Sequence, residues 1–388
     1  MKKTLVALVA LLGVGSLMGQ TKMDKVSYNE HLYVVSNVNG KTAYLAFDTG
    51  SPYTCIDSTY VADSNLQYKN VGHANMGGTG SAREKVRIVI NELTYTVAGK
   101  QYTSKVSPII QLKPILGDQA DGLLGIDNMG GKVIVIDYVG GQMGLWDSLG
   151  DVDGYTSVPI RYENNRIYIP LTVAIGDGKV VEGEGLLDLG SGGSIDLTSS
   201  VAEQYGLKSI VPRLCYSFAN GGIGGESSGC DFRAESASVG GYTLNNIVVG
   251  FSNNSSGALS NREYIGVVGN DFWERFDMMI DLAGQRLYLR PNAKFAEPFA
   301  SPVHGFHCTD RSRTLGCWLV NCLYEGSNAE KAGLRKGDRI TAVNGRSVRE
   351  ISFEEKRDYL DGMQGVSLTV ERDGGTAVMA FPFDAPGI

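Results

Sequence analysis

Short apolar runs bounded by Gly, Asn and Asp recur along most of the chain. "VRIVI" at 86–90, "KVIVIDY" at 132–138, "RIYIPLTVAI" at 166–175 and "NNIVVGF" at 245–251 are rich in β-branched residues, the pattern of strands that pack on a core. Helical spacing is confined to short pieces such as "SSVAEQYGL" at 199–207. The elements predicted are therefore many strands and few helices.

Two of the apolar runs end on a carboxylate and turn at once. "AFDTGS" spans 46–51 and "GLLDLGS" spans 185–191, so Asp188 follows Asp48 by 140 residues. Either alone reads as an ordinary strand end, because Asp, Gly and Ser are common turn formers. Other segments repeat in the same order. "CID" at 55–57 is followed 139 residues later by "SID" at 194–196; "DGLLGID" and "IGVVGND" place Gly125 and Gly269 144 residues apart; "VIDYVGGQM" and "MIDLAGQRL" repeat at the same 144. A Gly-rich hairpin follows each Asp, "HANMGGTGSA" at 73–82 and "FANGGIGGESS" at 218–228. The repeats predict an internal duplication, with lobes at 20–148 and 149–292.

The chain has 388 residues, of which 51 are Gly, room for two to three domains with many tight turns. A net charge of −7 without a basic stripe argues against nucleic acid as a partner. "MKK" followed by "TLVALVALLGVGSLM" reads as a signal peptide over 1–19, too short for a membrane anchor. No later run reaches spanning length, so no transmembrane anchor is expected in the mature chain, and a periplasmic or extracellular location is. In an exported chain the six cysteines favour disulfides; Cys215 and Cys230 bracket the second Gly-rich hairpin, and Cys308 and Cys317 flank another. With four histidines and no metal-ligand spacing, neither a metal nor a cofactor is expected.

With both motifs and their followers in view, residues 25–292 resemble the bilobal aspartic proteases of the pepsin and retropepsin clan, of the bacterial exported type. The resemblance implies that Asp48 and Asp188 face each other across the lobe interface and share a proton. It also implies that Thr49, Gly50, Ser51, Gly190 and Ser191 shape the two loops, that Gly125 and Gly269 support them, and that the hairpins with Gly77, Gly78, Gly221 and Gly222 are flaps. Two carboxylates a few ångströms apart do not both ionise cheaply, so the pair titrates as a unit. The hydroxyls of Ser51 and Ser191 are expected to donate to the carboxylates and lower their pKa values. Leu189 departs from the family, which has Thr or Ser there with a hydroxyl reaching the other lobe.

After a linker at 293–301, residues 302–388 resemble a PDZ domain, on "GSNAEKAGL" and "KGDRITAVNG". Ser327 with Glu330 and Ser352 with Glu355 read as capping boxes of two short helices, and Asn344-Gly345 as a tight turn. PDZ domains add an extended peptide to a sheet edge; Gly305 and Phe306 are the candidate peptide-binding positions, with peptide termini as partners. The expectation is a mainly β protein: two similar aspartic-protease β-barrel lobes with a cleft between them, then an α+β PDZ domain. The corresponding function is an exported aspartic endopeptidase acting on peptide or protein substrates. The alternative is a catalytically inactive peptide-binding protein retaining the protease fold.

Overall fold

The computed structural model describes residues 22–388; the signal-peptide expectation lies outside them. Strands dominate and fall into a 13-stranded and a 14-stranded sheet. The fold is mainly β, with two lobes followed by a C-terminal α+β unit.

Each lobe is built around one three-strand arrangement. In the first, Lys41–Phe47 runs parallel to Gly122–Leu124, which in turn lies antiparallel to Cys55–Asp57. In the second, Lys179–Leu187 runs parallel to Gly266–Val268, which lies antiparallel to Ile195–Leu197. The apolar residues of these strands explain the arrangement: Leu45, Phe47, Ile56 and Leu124, like Leu187, Leu197 and Val268, are fully buried. Parallel strands buried on both faces read as continuous apolar runs. Leu45 to Phe47 and Leu186 to Leu187 are such runs.

The lobes are joined beneath by strands that each contributes in turn. Val133–Asp137 of the first lobe pairs antiparallel with Phe276–Asp281 of the second, in the register Ile136 to Met278 and Ile134 to Ile280. Met23–Asn29 and Gln142–Trp146 extend this base on one side, Arg286–Pro291 and Thr156–Pro159 on the other. Strands of both lobes thereby share one continuous sheet.

Register corrects one of the sequence matches. Leu123 and Val267 occupy corresponding places; they pair with Cys55 and Asp196 respectively. Asp57 caps the helix Ser58–Asp63, accepting from Tyr60 N–H, and Thr198 caps Ser199–Gln204. Cys55 therefore corresponds to Asp196 and Asp57 to Thr198, both 141 residues apart. The "CID" and "SID" triplets are out of step by two residues, because a helix cap needs only an oxygen in the right place and Asp and Thr serve equally.

The C-terminal unit is not a bead on a linker. Its strand Cys317–Tyr324 pairs with Leu214–Phe218 of the second lobe, in the register Tyr216 to Tyr324 and Phe218 to Cys322, so the second sheet runs on into it. Against the first lobe, Asp118 accepts from Arg311 Nε and from the Thr314 N–H, and Phe353 sets its ring edge-on to Tyr33 at 5.2 Å. Within the unit, Ser352 and Glu355 form the full capping box of Phe353–Lys356. The Ser327 hydroxyl caps Asn328–Lys331, but Glu330 Oε2 accepts from Gly326 rather than Ser327, so that box is half made. Asn344 and Gly345 both have positive φ, 50° and 81°, as the tight turn requires.

One expected bridge, Cys215–Cys230, is formed across the second hairpin. Cys308 and Cys317 are free thiols, opposite Val320 and Arg311 in their hairpin.

Candidate active site

Asp48 and Asp188 each follow an apolar strand directly and lie opposite one another. Their backbones are fixed in the same way: Asp48 N–H donates to Leu124 O and Asp188 N–H to Val268 O, both at 3.0 Å. The next turn crosses over. A Cβ at Gly50 would stand 2.6 Å from the Asp188 carboxylate, and one at Gly190 would stand 2.3 Å from Asp48 Cγ. Only glycine permits that approach. Gly125 and Gly269 admit the loops from behind, since a Cβ there would meet Tyr53 O and Gly193 O at 2.4 Å.

Burial, and then the mutual charge, raises the pKa of Asp48; burial also raises that of Asp188. The carboxylates accept from the chain itself: Ser51 N–H donates to Asp48 Oδ1 at 2.8 Å and Gly190 N–H to Asp188 Oδ1 at 2.9 Å. The expected hydroxyl contact is not made at Ser51, whose Oγ donates to Tyr53 O at 2.7 Å. This bond to the carbonyl two residues on closes a local turn. The Ser191 hydroxyl makes no hydrogen bond to Asp188 either, so neither serine lowers the pair's pKa through its side chain.

Thr49 joins the loops. Its hydroxyl donates to Leu187 O at 2.7 Å and accepts from Leu189 N–H at 2.9 Å. By the twofold relation a hydroxyl at 189 would serve Phe47 O and Thr49 N–H; Leu189 instead packs fully buried in the core, and Thr49 N–H has no acceptor among the described residues.

Sequence reasoning missed Asn270, which the fold places under the second loop. Fully buried, its Nδ2 donates to Glu30 O at 2.9 Å, Leu189 O at 2.8 Å and Ser191 O at 3.1 Å, while its Oδ1 accepts from Tyr138 at 2.7 Å. The available signal was the mismatch between duplicated segments, where Ile126 of "DGLLGID" stands opposite Asn270 of "IGVVGND". His31 was also missed: its Nε2–H donates to Gly190 O at 3.0 Å, and burial lowers its pKa against the pull of Glu30 and Asp188.

The tips of the two Gly-rich hairpins meet each other. Gly80 N–H donates to Ile223 O, Ala82 N–H to Gly224 O and the Thr79 hydroxyl to Gly221 O, at 2.7–3.0 Å. Gly77 and Gly78 lie on one tip, Gly221 and Gly222 on the other; a Cβ at Gly78 would stand 2.9 Å from Ile223. Ala258 N–H donates to Gly78 O, tying the first tip to the second lobe as well.

Behind Asp188, Asp196 and Asp231 flank Gly250, where a Cβ would stand 2.3 Å and 3.1 Å from their oxygens. Burial, with help from Asp188, pushes Asp196 up to about 6. Burial pushes Asp231 up to about 7 even though Tyr324 donates to it at 2.6 Å.

Residues 319–372 match the family model of the PDZ domain. The C-terminal unit contains a PDZ domain. Gly305 of that unit has φ 78° and its carbonyl accepts from Tyr324 N–H, while Phe306 is buried in the PDZ core at the start of the strand Phe306–Arg311. The outer edge of that strand is partly occupied by the chain itself: Asp310 O accepts from Asp118 N–H at 2.8 Å, and Cys308 O from Lys356 Nζ at 3.1 Å. Among solved structures the chain is similar to an aspartic proteinase from Irpex lacteus, with TM-score 0.47 and 13% identity over 72% of this chain and 99% of that one. No curated protein matches the sequence.

Proposed function

We propose that the chain is an exported aspartic endopeptidase working outside the cytoplasm, with Asp48 and Asp188 as its catalytic pair. The observation that carries this reading is the reciprocal crossing of the loops, which leaves no room for a Cβ at Gly50 or Gly190. Held so close, the carboxylates keep one proton between them. The ionised member takes a proton from a water, whose oxygen bonds to the peptide carbonyl carbon, and the protonated member gives its proton to the carbonyl oxygen. Collapse breaks the C–N bond: the amine leaves with a proton from one carboxyl, while the other carboxylate takes back a proton from the gem-diol, which becomes the carboxylic acid and restores the shared proton. The two hairpins cover an extended substrate and exclude water, and the PDZ domain holds a further segment of substrate or partner.

Cleavage of a mixed peptide library by wild type, Asp48→Asn and Asp188→Asn tests the reading, with inhibition by a statine peptide as the second arm. Activity confined to wild type and blocked by statine supports it; an Asp188→Asn variant as active as wild type overturns it. One observation favours a second reading, a peptide-binding protein without catalysis: Leu189 leaves Thr49 N–H without an acceptor. Peptides that bind and survive intact on the wild-type protein would establish that alternative.

A further inference from the structure

The loops differ in a compensating way. The first carries a hydroxyl after its aspartate, Thr49, and an apolar residue after its supporting glycine, Ile126. The second carries an apolar residue after its aspartate, Leu189, and an amide after its supporting glycine, Asn270. All four are fully buried.

We infer that Asn270 is the positioning residue of the Asp188 loop and does for it, from below, what a hydroxyl at 189 would do from across the interface. The inference rests on the peptidase reading and concerns how the second aspartate is held. Asn270 Nδ2 spans Leu189 O and Ser191 O, the carbonyls on either side of Gly190, and reaches Glu30 O in the first lobe. Its backbone N–H also donates to Ser191 O, at 2.8 Å. The Tyr138 hydroxyl, again from the first lobe, fixes which way the amide points by donating to Oδ1. An amide flipped end for end would set Oδ1 against three carbonyl oxygens, so Tyr138 orients Asn270 and Asn270 orients the loop. Both ends of this relay cross the lobe boundary, as the Thr49 hydroxyl does. Second-sphere contacts of this kind matter because a small misplacement of a reacting group carries a large cost in rate.

The test is a cycle in the full chain with Asn270→Leu, Leu189→Thr and the double variant, measuring kcat and KM on a cleaved peptide. Asn270→Leu keeps the branched heavy-atom shape and removes every side-chain bond; kcat is expected to fall about 10- to 100-fold with KM within about twofold. Leu189→Thr is expected to change wild type by less than about threefold yet to recover several-fold of the loss when added to Asn270→Leu, a coupling that general destabilisation does not produce. Strictly additive effects, or an Asn270→Leu kcat within about twofold of wild type, overturn the inference. If Asn270→Leu does not fold, Tyr138→Phe takes its place, with an expected fall in kcat of about threefold to tenfold; unchanged kcat overturns it. If wild type cleaves nothing, the peptidase reading fails and amide exchange decides the inference. Segment 188–193 is then expected to exchange at least about tenfold faster in Tyr138→Phe while strand 31–38 stays protected, and equal exchange refutes it.

Discussion

The two lobes share a strand order and a pair of aspartate loops, yet they spend their buried polar groups differently. Around Asp48 the polar atoms are the Thr49 hydroxyl, and Asp127 accepting from Thr54 and Ser104. Around Asp188 they stand below and behind, in Asn270, Asp196 and Asp231 with Tyr324 beyond. A fold repeated by duplication fixes where the backbone goes; the hydrogen-bonding atoms can move to neighbouring positions as long as each buried group finds a partner. The same divergence appears at the Gly-rich hairpins. The tip of the first bonds to Ile223 and Ala258 of the second lobe, whereas the strand Leu214–Phe218 of the second is hydrogen-bonded to the PDZ domain.

The largest effect that can break the comparison is at the aspartates. If the unlike surroundings still hold an equivalent pair, Asp48→Asn and Asp188→Asn each lower kcat/KM by at least about a thousandfold with the fold intact by circular dichroism. A loss at one position only would show that the lobes are unequal in chemistry as well as in support.

Thr49→Val comes next. It removes the hydroxyl that serves Leu187 O and Leu189 N–H, and a buried group left without its partner costs about 1–3 kcal/mol. An unfolding free energy from denaturant melts lowered by that amount, with a matching loss of cleavage, is expected. No change in either would mean that Asn270 alone holds the interface.

The third concerns the polar atoms behind Asp188. Asp231 is pushed up to about 7 in the folded protein, above the ordinary carboxylate value of about 4. Between those values the folded chain holds a proton that the unfolded chain has released, so this contribution favours the fold at low pH and is lost as pH rises through 7. Asp231→Asn is expected to flatten, in part, the decline of melting temperature between pH 4 and about 8. A slope equal to that of wild type would show that Asp231 does not titrate in this range.

The smallest effect is at Ser51. Its hydroxyl serves Tyr53 O and not Asp48, so Ser51→Ala is expected to leave the acidic limb of the pH–rate profile within about 0.3 units of wild type. A clear upward shift would show that the hydroxyl turns to the carboxylate when substrate binds.

Much of the site was legible because its signals are local. A strand that ends on Asp and turns through Gly announces itself in six residues, and its recurrence with a later apolar-apolar-Gly segment announces the duplication. Strand-rich patterning and the helix-cap residues of the C-terminal unit are equally local, since Ser352 and Glu355 need only each other. Asn270 was not legible, because its partners Glu30 and Tyr138 lie 240 and 132 residues away, and an Asn beside a Gly reads as a turn. The Ser51 hydroxyl was misread for the opposite reason: it turns to a carbonyl two residues on in its own loop and not to the carboxylate.

The sequence by itself determined the strand pattern, the two aspartate loops and the glycines that let them cross, because each follows from backbone conformation and the burial of short apolar runs. Only the tertiary structure decided which residue steadies the Asp188 loop, which acids are pushed out of their ordinary range, and that the PDZ domain extends the second hairpin's sheet. Those outcomes depend on which groups are brought out of water together, and burial of that kind joins residues far apart in the chain whose individual identities carry no sign of their partners.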